Sequence, residues 1–181
     1  MNNLQAQSHE STAFLTDMYE LTMLDAAFKD GTAHRRCTFE VFARKLSDGR
    51  RYGVLAGIAR VLDAICQFRF TPEQLASADF LSEEAKEYLR NYRFSGQVDG
   101  YREGELYFPY SPIMTVRGTF AECVILETVI LSILNSDSAV ASAASRMVTA
   151  AEGRPLIEMG SRRTNERSAI SAARAAYIAG F

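Results

Sequence analysis

Apolar residues recur at helical spacing in several stretches of the chain and at alternating spacing in one. From Ala13 to Phe28 the apolar positions lie three or four residues apart, which predicts a helix capped by Thr16 or Asp17. Cys37 to Arg44 alternates apolar and polar residues, the period of a half-buried strand. After a turn at Ser47–Gly49, residues 52–68 predict a short strand or loop and then a second helix.

The middle of the chain combines two helix starts with a group of extended runs. Thr71-Pro72 and Ser82 are residue types that begin helices. Three extended runs separated by glycine and proline then predict a small antiparallel meander, at Gln97–Tyr101, Glu105–Phe108 and Ile113–Arg117.

The last third of the chain is apolar and rich in small residues. Its pattern predicts helices over Thr119–Leu134, Asp137–Ala151 and Thr164–Ile178, with a short strand at Leu156–Gly160 before the last helix. A helix–strand–helix order of this kind is typical of an α/β repeat.

Composition and charge narrow the possible functions. The net charge is -2 and the pI about 5.8, so no basic field indicates nucleic acid or an anionic membrane as a partner. The longest apolar run, Val124–Leu134, is too short to span a bilayer, and the polar residues 1–12 predict a flexible leader without a signal peptide. Three widely spaced cysteines are expected to be reduced thiols of a cytoplasmic protein: Cys37, Cys66 and Cys123.

Histidine is scarce, which weighs against two classes of site. The chain has two histidines, His9 in the leader and His34 in a polar turn, both expected to be solvated. A metal cluster or a histidine-based triad is therefore not predicted.

Asp17 and Tyr19 stand at the predicted start of the first helix. Backbone N–H groups gather at such a position and favour anions. On spacing alone, a capping aspartate and a core tyrosine are the favoured interpretation, and a binding site is the alternative.

Two arginines follow the predicted strand Leu156–Gly160. Arg162 and Arg163 would project from its carboxyl end, the edge where α/β folds bind ligands, and guanidinium groups match carboxylates and phosphates. Helical spacing places Arg163, Arg167 and Arg174 on one helix face. A solvated basic face is the simpler interpretation of the same spacing.

Glu127 interrupts the apolar helix Thr119–Leu134. A buried carboxylate needs a partner, and an arginine of another helix or of a second subunit is expected, so a structural ion pair is the favoured interpretation. The polar run Asn135–Ser138 follows it directly.

Taken together, these stretches resemble one family, nicotinate phosphoribosyltransferase, in register from Phe14 to Phe181. The opening FLTDMYELTM resembles the family's LLTDxYELTM, and EMGSRR resembles EFGxRR. The segments EMGSRR and AAYIAGF are similar to those of an actinobacterial-type branch of the family. The matching segments all come from the N-terminal part of the enzyme. The matching segments are Phe14–Met23, Phe39–Leu46, Tyr52–Gly57, Asn91–Gly96, Glu103–Pro109, Thr119–Asn135, Glu158–Arg163 and Arg174–Phe181.

This resemblance implies an α/β fold of the type II phosphoribosyltransferase kind. A helical and antiparallel β domain is expected over 13–118, and the first part of an irregular β/α barrel over 119–181. The parent enzyme is expected to be a homodimer. Because the barrel is incomplete, the isolated chain is expected to be unstable or to aggregate, and because later catalytic segments are missing it is expected to be inactive.

The implied reaction joins nicotinate to 5-phosphoribosyl pyrophosphate, with ATP hydrolysis through a phosphorylated histidine and with Mg²⁺ on the pyrophosphate. By the resemblance, Tyr19 reaches the pyridine ring with Asp17 beside it, and Arg162 with Arg163 contacts carboxylate or phosphate. Met159 stands where related enzymes have an aromatic residue that can stack on the pyridine; methionine departs from that pattern, but its sulfur can contact an aromatic ring. Glu127 and Asn135 are implied as structural groups near the site.

Neither His9 nor His34 matches the family's GTMAHS-like segment, so the phosphorylated histidine is expected beyond Phe181 and no residue of this chain is expected to be catalytic. Two alternatives stay open. One is a non-catalytic binding or assembly module. The other is a sister enzyme that uses nicotinamide or quinolinate.

Overall fold

A computed structural model describes residues 11–46 and 49–181. The predicted leader, with His9, lies outside the described residues apart from Ser11 and Thr12, and so do the first two residues of the turn predicted at Ser47–Gly49. Thr12 donates its hydroxyl to the carbonyl of Ala64 at 2.8 Å, which joins the start of the described chain to a helix.

The described residues contain seven α-helices and five short strands, with 3₁₀ turns at Ala13–Leu15 and Ser161–Arg163. In chain order they are α1 (Met18–Asp30), β1 (Arg36–Val41), β2 (Gly53–Val54), α2 (Ile58–Gln67), α3 (Pro72–Ala76), α4 (Glu83–Arg90), β3 (Gln97–Gly100), β4 (Leu106–Tyr107), β5 (Met114–Thr119), α5 (Phe120–Val124), α6 (Glu127–Ala151) and α7 (Glu166–Ile178).

These elements form two compact units, each assembled from three stretches of chain. The first unit holds the described part of Met1–Cys37 together with Leu62–Gly96 and Gly118–Val129. The second holds Gln97–Arg117, Ile130–Phe181 and the described part of Thr38–Val61. The predicted boundary between domains at residue 118 stays a prediction.

Local sequence signals account for most helix starts. Thr71 forms a reciprocal capping box with Gln74, and the Ser82 hydroxyl accepts from the amide of Ala85, so both predicted starts are confirmed. β1 shows the predicted alternation of exposed and half-buried residues, although it ends at Val41 and not at Arg44.

Aromatic side chains fill the core of the first unit. Phe68 and Tyr92 are almost fully buried with their ring centroids 5.6 Å apart, edge to face. The Tyr92 hydroxyl donates to the carbonyl of Glu122 at 2.8 Å, so this core ring also has its polar atom satisfied. Burial raises the pKa of Tyr92 far above its usual range.

In the second unit the strands pair differently from the predicted meander. β3 lies antiparallel to β5, with Gln97 opposite Arg117, in a sheet of order β1-β5-β3. β4 pairs with β2 instead, with Gly53 opposite Tyr107. The meander prediction is wrong because local turn signals mark where strands end but not which strand pairs with which. Gly53 permits the β2–β4 pair, since a Cβ atom there would lie 2.2 Å from the Tyr107 ring.

α6 is one helix of 25 residues, and not the two helices predicted around Asn135–Ser138. That polar run contains no helix breaker. The Ser138 hydroxyl donates to the carbonyl of Ala56, in the loop that follows β2, at 3.2 Å. The break falls earlier, at residues 125–126. Together with α5, the stretch Phe120–Ala151 is long and apolar enough to cross a membrane. Half of its most apolar 18 residues are buried inside the protein, and the core helices of soluble proteins have the same length and composition.

The segment after α6 differs from prediction in one respect. Glu152 and Gly153 have positive φ angles and end α6, as the Gly-Arg-Pro sequence indicates. Residues 156–160 are irregular, so the strand predicted there is wrong for this structure, because no strand of the described chain pairs with it. α7 then begins at Glu166, where the side chain of Asn165 accepts from the amide of Arg167.

Candidate functional site

The start of α1 carries the first pair of predicted site residues, in the first unit. Asp17 occupies the N-cap position, but its side chain makes no capping bond and accepts instead from the Thr128 hydroxyl at 3.0 Å. Tyr19 is 46% exposed. The capping aspartate and the core tyrosine, which spacing alone favours, are therefore both wrong.

Glu20, which sequence analysis missed, lies beneath these two residues. Its carboxylate is fully buried and accepts from the backbone amide of Thr128 at 2.8 Å, the Thr128 hydroxyl and the Thr16 hydroxyl. A buried carboxylate with this many donors fixes the start of α1 against the start of α6. The sequence does not indicate that Glu20 is buried, because a glutamate in the first turn of a helix is ordinarily exposed.

Glu127 is the first residue of α6, half-buried, and faces Tyr19. Burial, together with the hydrogen bond to Glu127, raises the pKa of the Tyr19 hydroxyl to about 12. Within the described chain the partner of Glu127 is therefore a tyrosine hydroxyl and not an arginine of another helix, while an arginine from a second subunit stays a prediction. The structure brings together Asp17, Tyr19 and Glu127, three residues that the sequence singled out separately.

The arginine pair lies in the second unit, on the 3₁₀ turn Ser161–Arg163. Both guanidinium groups are exposed, and neither pairs with a carboxylate in the part of the chain that the structure describes. Met159, just before them, is 78% exposed. Two unpaired arginines side by side can bind a carboxylate or a phosphate without first breaking an ion pair.

The predicted basic face of α7 is only partly formed. Arg163 precedes the helix and therefore shares no helical face with Arg167 and Arg174, a correction to the predicted set of three. Arg174 is engaged in the second unit by a carboxylate: its Nη1 and Nη2 donate to the two oxygens of Glu103 at 2.8 and 2.5 Å. Sequence analysis missed Glu103.

Asn135 is exposed on α6 and lines a cavity of about 240 Å³ in the second unit. Lys45, Arg50 and Tyr52 also line this cavity. A separate cavity of about 490 Å³ in the first unit is bounded by His34, Tyr88 and Arg93 among others, and contains none of the predicted site residues.

A metal site built from protein ligands needs several ligating side chains close together. Within 11–46 and 49–181, no three His, Cys, Asp or Glu side chains lie close enough together to hold one. The described part of the chain therefore contains no ready-made cage of protein ligands for a metal ion.

The fold is shared with enzyme chains of known structure. The crystal structure of human nicotinic acid phosphoribosyltransferase superposes with a TM-score of 0.85 at 28% sequence identity, over 92% of this chain and 35% of the human chain. The nicotinate-nucleotide pyrophosphorylase of Pyrococcus furiosus superposes with a TM-score of 0.73 at 24% identity, over 99% and 40% of the two chains, and so shares the fold. The α/β fold predicted from the sequence is thus confirmed as that of a phosphoribosyltransferase.

Sequence comparison then identifies the family. The model of the nicotinate phosphoribosyltransferase (NAPRTase) N-terminal domain matches residues 14–135, and the chain belongs to this family. It is 62% identical over 178 residues to the nicotinate phosphoribosyltransferase pncB1 of Mycobacterium tuberculosis (strain H37Rv), covering 98% of this chain and 40% of the relative. The enzyme of Bacillus subtilis is 34% identical, with 95% of this chain and 36% of the relative covered. The chain thus spans about two fifths of the length of the relatives it matches.

Proposed function

We propose that the full-length protein carrying this chain is a nicotinate phosphoribosyltransferase. It joins nicotinate to 5-phosphoribosyl pyrophosphate and releases nicotinate mononucleotide and pyrophosphate, the first step of NAD synthesis from nicotinate. The observation that carries the proposal is the 62% identity, over 98% of this chain, to a protein named for that activity. The two exposed, unpaired arginines support nicotinate, which carries a carboxylate, over nicotinamide, which carries none.

In the proposed reaction the site residues of this chain bind and orient the reactants. The half-exposed ring of Tyr19 contacts the pyridine, with Asp17 beside it, and Met159 offers a sulfur–aromatic contact. Arg162 and Arg163 bind carboxylate or phosphate oxygens. The pyridine nitrogen attacks the ribose carbon in an oxocarbenium-like transition state, so positioning and charge neutralisation supply most of the rate enhancement.

ATP and Mg²⁺ belong to this proposal as partners of the whole enzyme. Mg²⁺, when bound, would neutralise pyrophosphate charge, and ATP hydrolysis would proceed through a histidine that we place in the part of the enzyme that follows this chain. Since the described residues contain no cluster of three possible metal ligands, no residue of this chain is assigned to hold the metal and no step is assigned through it. Asn135 and Glu127 are assigned structural roles near the site.

A homodimer is the proposed assembly, and the cytoplasm the proposed location. Four large apolar side chains near the start of α1 are each at least 46% exposed and support an interface between copies there: Phe14, Leu15, Met18 and Tyr19. The unpaired thiols of Cys37, Cys66 and Cys123 support a reducing compartment.

The decisive experiment measures nicotinate mononucleotide formation by the purified full-length protein. The reaction contains 5-phosphoribosyl pyrophosphate, MgCl₂ and ATP, with nicotinate, nicotinamide or quinolinate in parallel. Product from nicotinate alone supports the proposal. Product from nicotinamide or quinolinate instead would show that the protein has the activity of a sister enzyme. If none of the three substrates gives product, the non-catalytic binding module is favoured.

A further inference from the structure

Glu103 lies at the amino end of α2, in the second unit. Its Oε1 atom accepts from the backbone amide of Gly57 at 2.8 Å, and the backbone of Ala59 also donates to its carboxylate. A carboxylate is favoured at this end of a helix, where unpaired N–H groups carry partial positive charge. Glu103 thus caps α2 although it comes from the turn between β3 and β4.

Arg174 of α7 holds the same carboxylate in a two-point pair. The Nη1–Oε1 and Nη2–Oε2 distances are 2.8 and 2.5 Å, and the two side chains are 35% and 19% exposed. The Arg174 guanidinium keeps the pKa of Glu103 below its usual range. A two-point pair between a guanidinium group and a carboxylate restricts orientation as well as distance, so it sets the direction of α7 relative to the first turn of α2, within the second unit.

A second ion pair fixes the other side of α2's first turn. Arg60 Nη1 lies 2.6 Å from Asp137 Oδ1, and the Asp137 side chain is 2% exposed on α6. Gly57 permits this close approach, since its φ is +102° and a Cβ atom there would lie 3.2 Å from the Asp137 side chain. The start of α2 is therefore a fixed point to which both α6 and α7 are tied.

The segment that carries Arg162 and Arg163, residues 156–163, depends on α6 and α7 for its position. Residues 156–163 belong to no strand or α-helix, and Ile157 and Met159 are both 78% exposed. The hydrogen bonds made by its backbone amides are local, such as Arg163 N to Gly160 O at 2.7 Å. The segment is consequently placed by the end of α6 before it and by α7 after it. Between Arg174 and the start of α7 lie about 12 Å of helix.

We infer that Glu103 and Arg174 are a positioning pair for Arg162 and Arg163, acting through α7; this inference rests on the proposed function. The pair touches no substrate. It orients the helix that presents the two arginines, and so sets how well they meet the anionic groups of nicotinate or 5-phosphoribosyl pyrophosphate.

The test uses steady-state kinetics of the full-length protein. Arg174→Ala and Glu103→Gln should each raise the KM for nicotinate or 5-phosphoribosyl pyrophosphate on the order of tenfold, with a smaller change in kcat, because displaced arginines bind less well. Arg174→Lys, which keeps the charge but not the fork, should fall in between. Arg117→Ala is the matched control, since Arg117 also pairs with a carboxylate of the second unit, that of Asp99, but lies on β5. Its KM should stay at the wild-type value.

A double variant separates positioning from general stability. Once Arg162 is absent, much of the benefit of orienting it disappears, so Arg162→Ala/Arg174→Ala should have a KM well below the product of the two single effects. Fully multiplicative effects, or a KM for Arg174→Ala and Glu103→Gln equal to that of Arg117→Ala, would overturn the inference while the proposed function stands. If the wild-type protein forms no nicotinate mononucleotide, the proposed function fails first and the inference falls with it.

Discussion

Glu20 and Thr128, 108 residues apart in the chain, are joined by two hydrogen bonds to one carboxylate oxygen. The amide and the hydroxyl of Thr128 donate to Glu20 Oε1 at 2.8 and 2.6 Å, and Glu20 is fully buried. This contact places Tyr19, one residue before Glu20, beside Glu127, one residue before Thr128. The candidate pyridine contact is thus built on a buried carboxylate.

Glu20→Gln should destabilise the full-length protein by about 2 kcal/mol, because an amide nitrogen would replace one acceptor oxygen among donors. Thermal unfolding measures the change. Thr128→Val, which keeps the backbone donor, should cost less. The matched control Glu40→Gln, at an exposed position of β1, should leave the melting temperature within about 1 °C of wild type, since exposed substitutions cost little. Equal losses for Glu20→Gln and Glu40→Gln would contradict the account.

Tyr19→Ala and Arg162→Ala should each reduce kcat/KM for nicotinate mononucleotide formation by the equivalent of about 1.5–3 kcal/mol, the value of one good charge-assisted or desolvated contact. Both side chains are partly or fully exposed, so their removal should hardly change the melting temperature. Tyr101→Ala and Arg154→Ala, exposed residues of the same types, serve as controls. Unchanged kinetics in both site variants would refute the assignment.

Acid should weaken the first unit through Asp25. Hydrogen bonds from Lys29 and Ser82 lower the pKa of the Asp25 carboxyl from 3.8 to about 2. Because the folded pKa lies below the unfolded one, the stabilisation is present above about pH 4 and is lost as the pH falls towards 2, on the order of 2 kcal/mol in all.

Urea unfolding at pH values from 6 to 2.5 tests this assignment. The Asp25→Asn variant should be less stable than wild type at pH 6, and the difference should shrink as the pH falls. The exposed Asp79→Asn variant should keep the pH dependence of wild type. A constant difference between Asp25→Asn and wild type across this range would show that Asp25 does not titrate with folding.

The three thiols should react with iodoacetamide at very different rates. Burial raises the pKa of Cys123 to about 12 and also raises that of Cys37, whereas Cys66 is exposed on α2. Since the thiolate is the reactive form, Cys66 should be alkylated at least about tenfold faster than the other two. Peptide mass spectrometry after short labelling at pH 7.5 identifies the modified residue, and a Cys66→Ser variant should lose the fast phase.

Much of the local structure could be predicted from residue pattern. The alternation of β1, the capping residues of α3 and α4 and the glycine that ends α6 act over a few residues, so their effect is visible in the sequence. The site was predicted less completely. Position in the chain singled out Tyr19 and Arg162 and resemblance to a family supplied their roles, whereas Glu20 and Glu103 escaped notice because each is satisfied by donors far away in the chain.

The sequence by itself determined several helix starts, the α/β class and, through motifs that follow one another in the family's order, the family. Those properties depend on backbone propensity, capping and side-chain chemistry, which are local or additive along the chain. Only the tertiary structure decided that β4 pairs with β2, that α6 continues through Asn135, that Glu127 faces a tyrosine and that Arg174 is held by Glu103. Each of these depends on which donors and acceptors meet once the chain is compact. The spacing of residues along the sequence does not indicate which hydrogen bonds form between residues far apart in the chain.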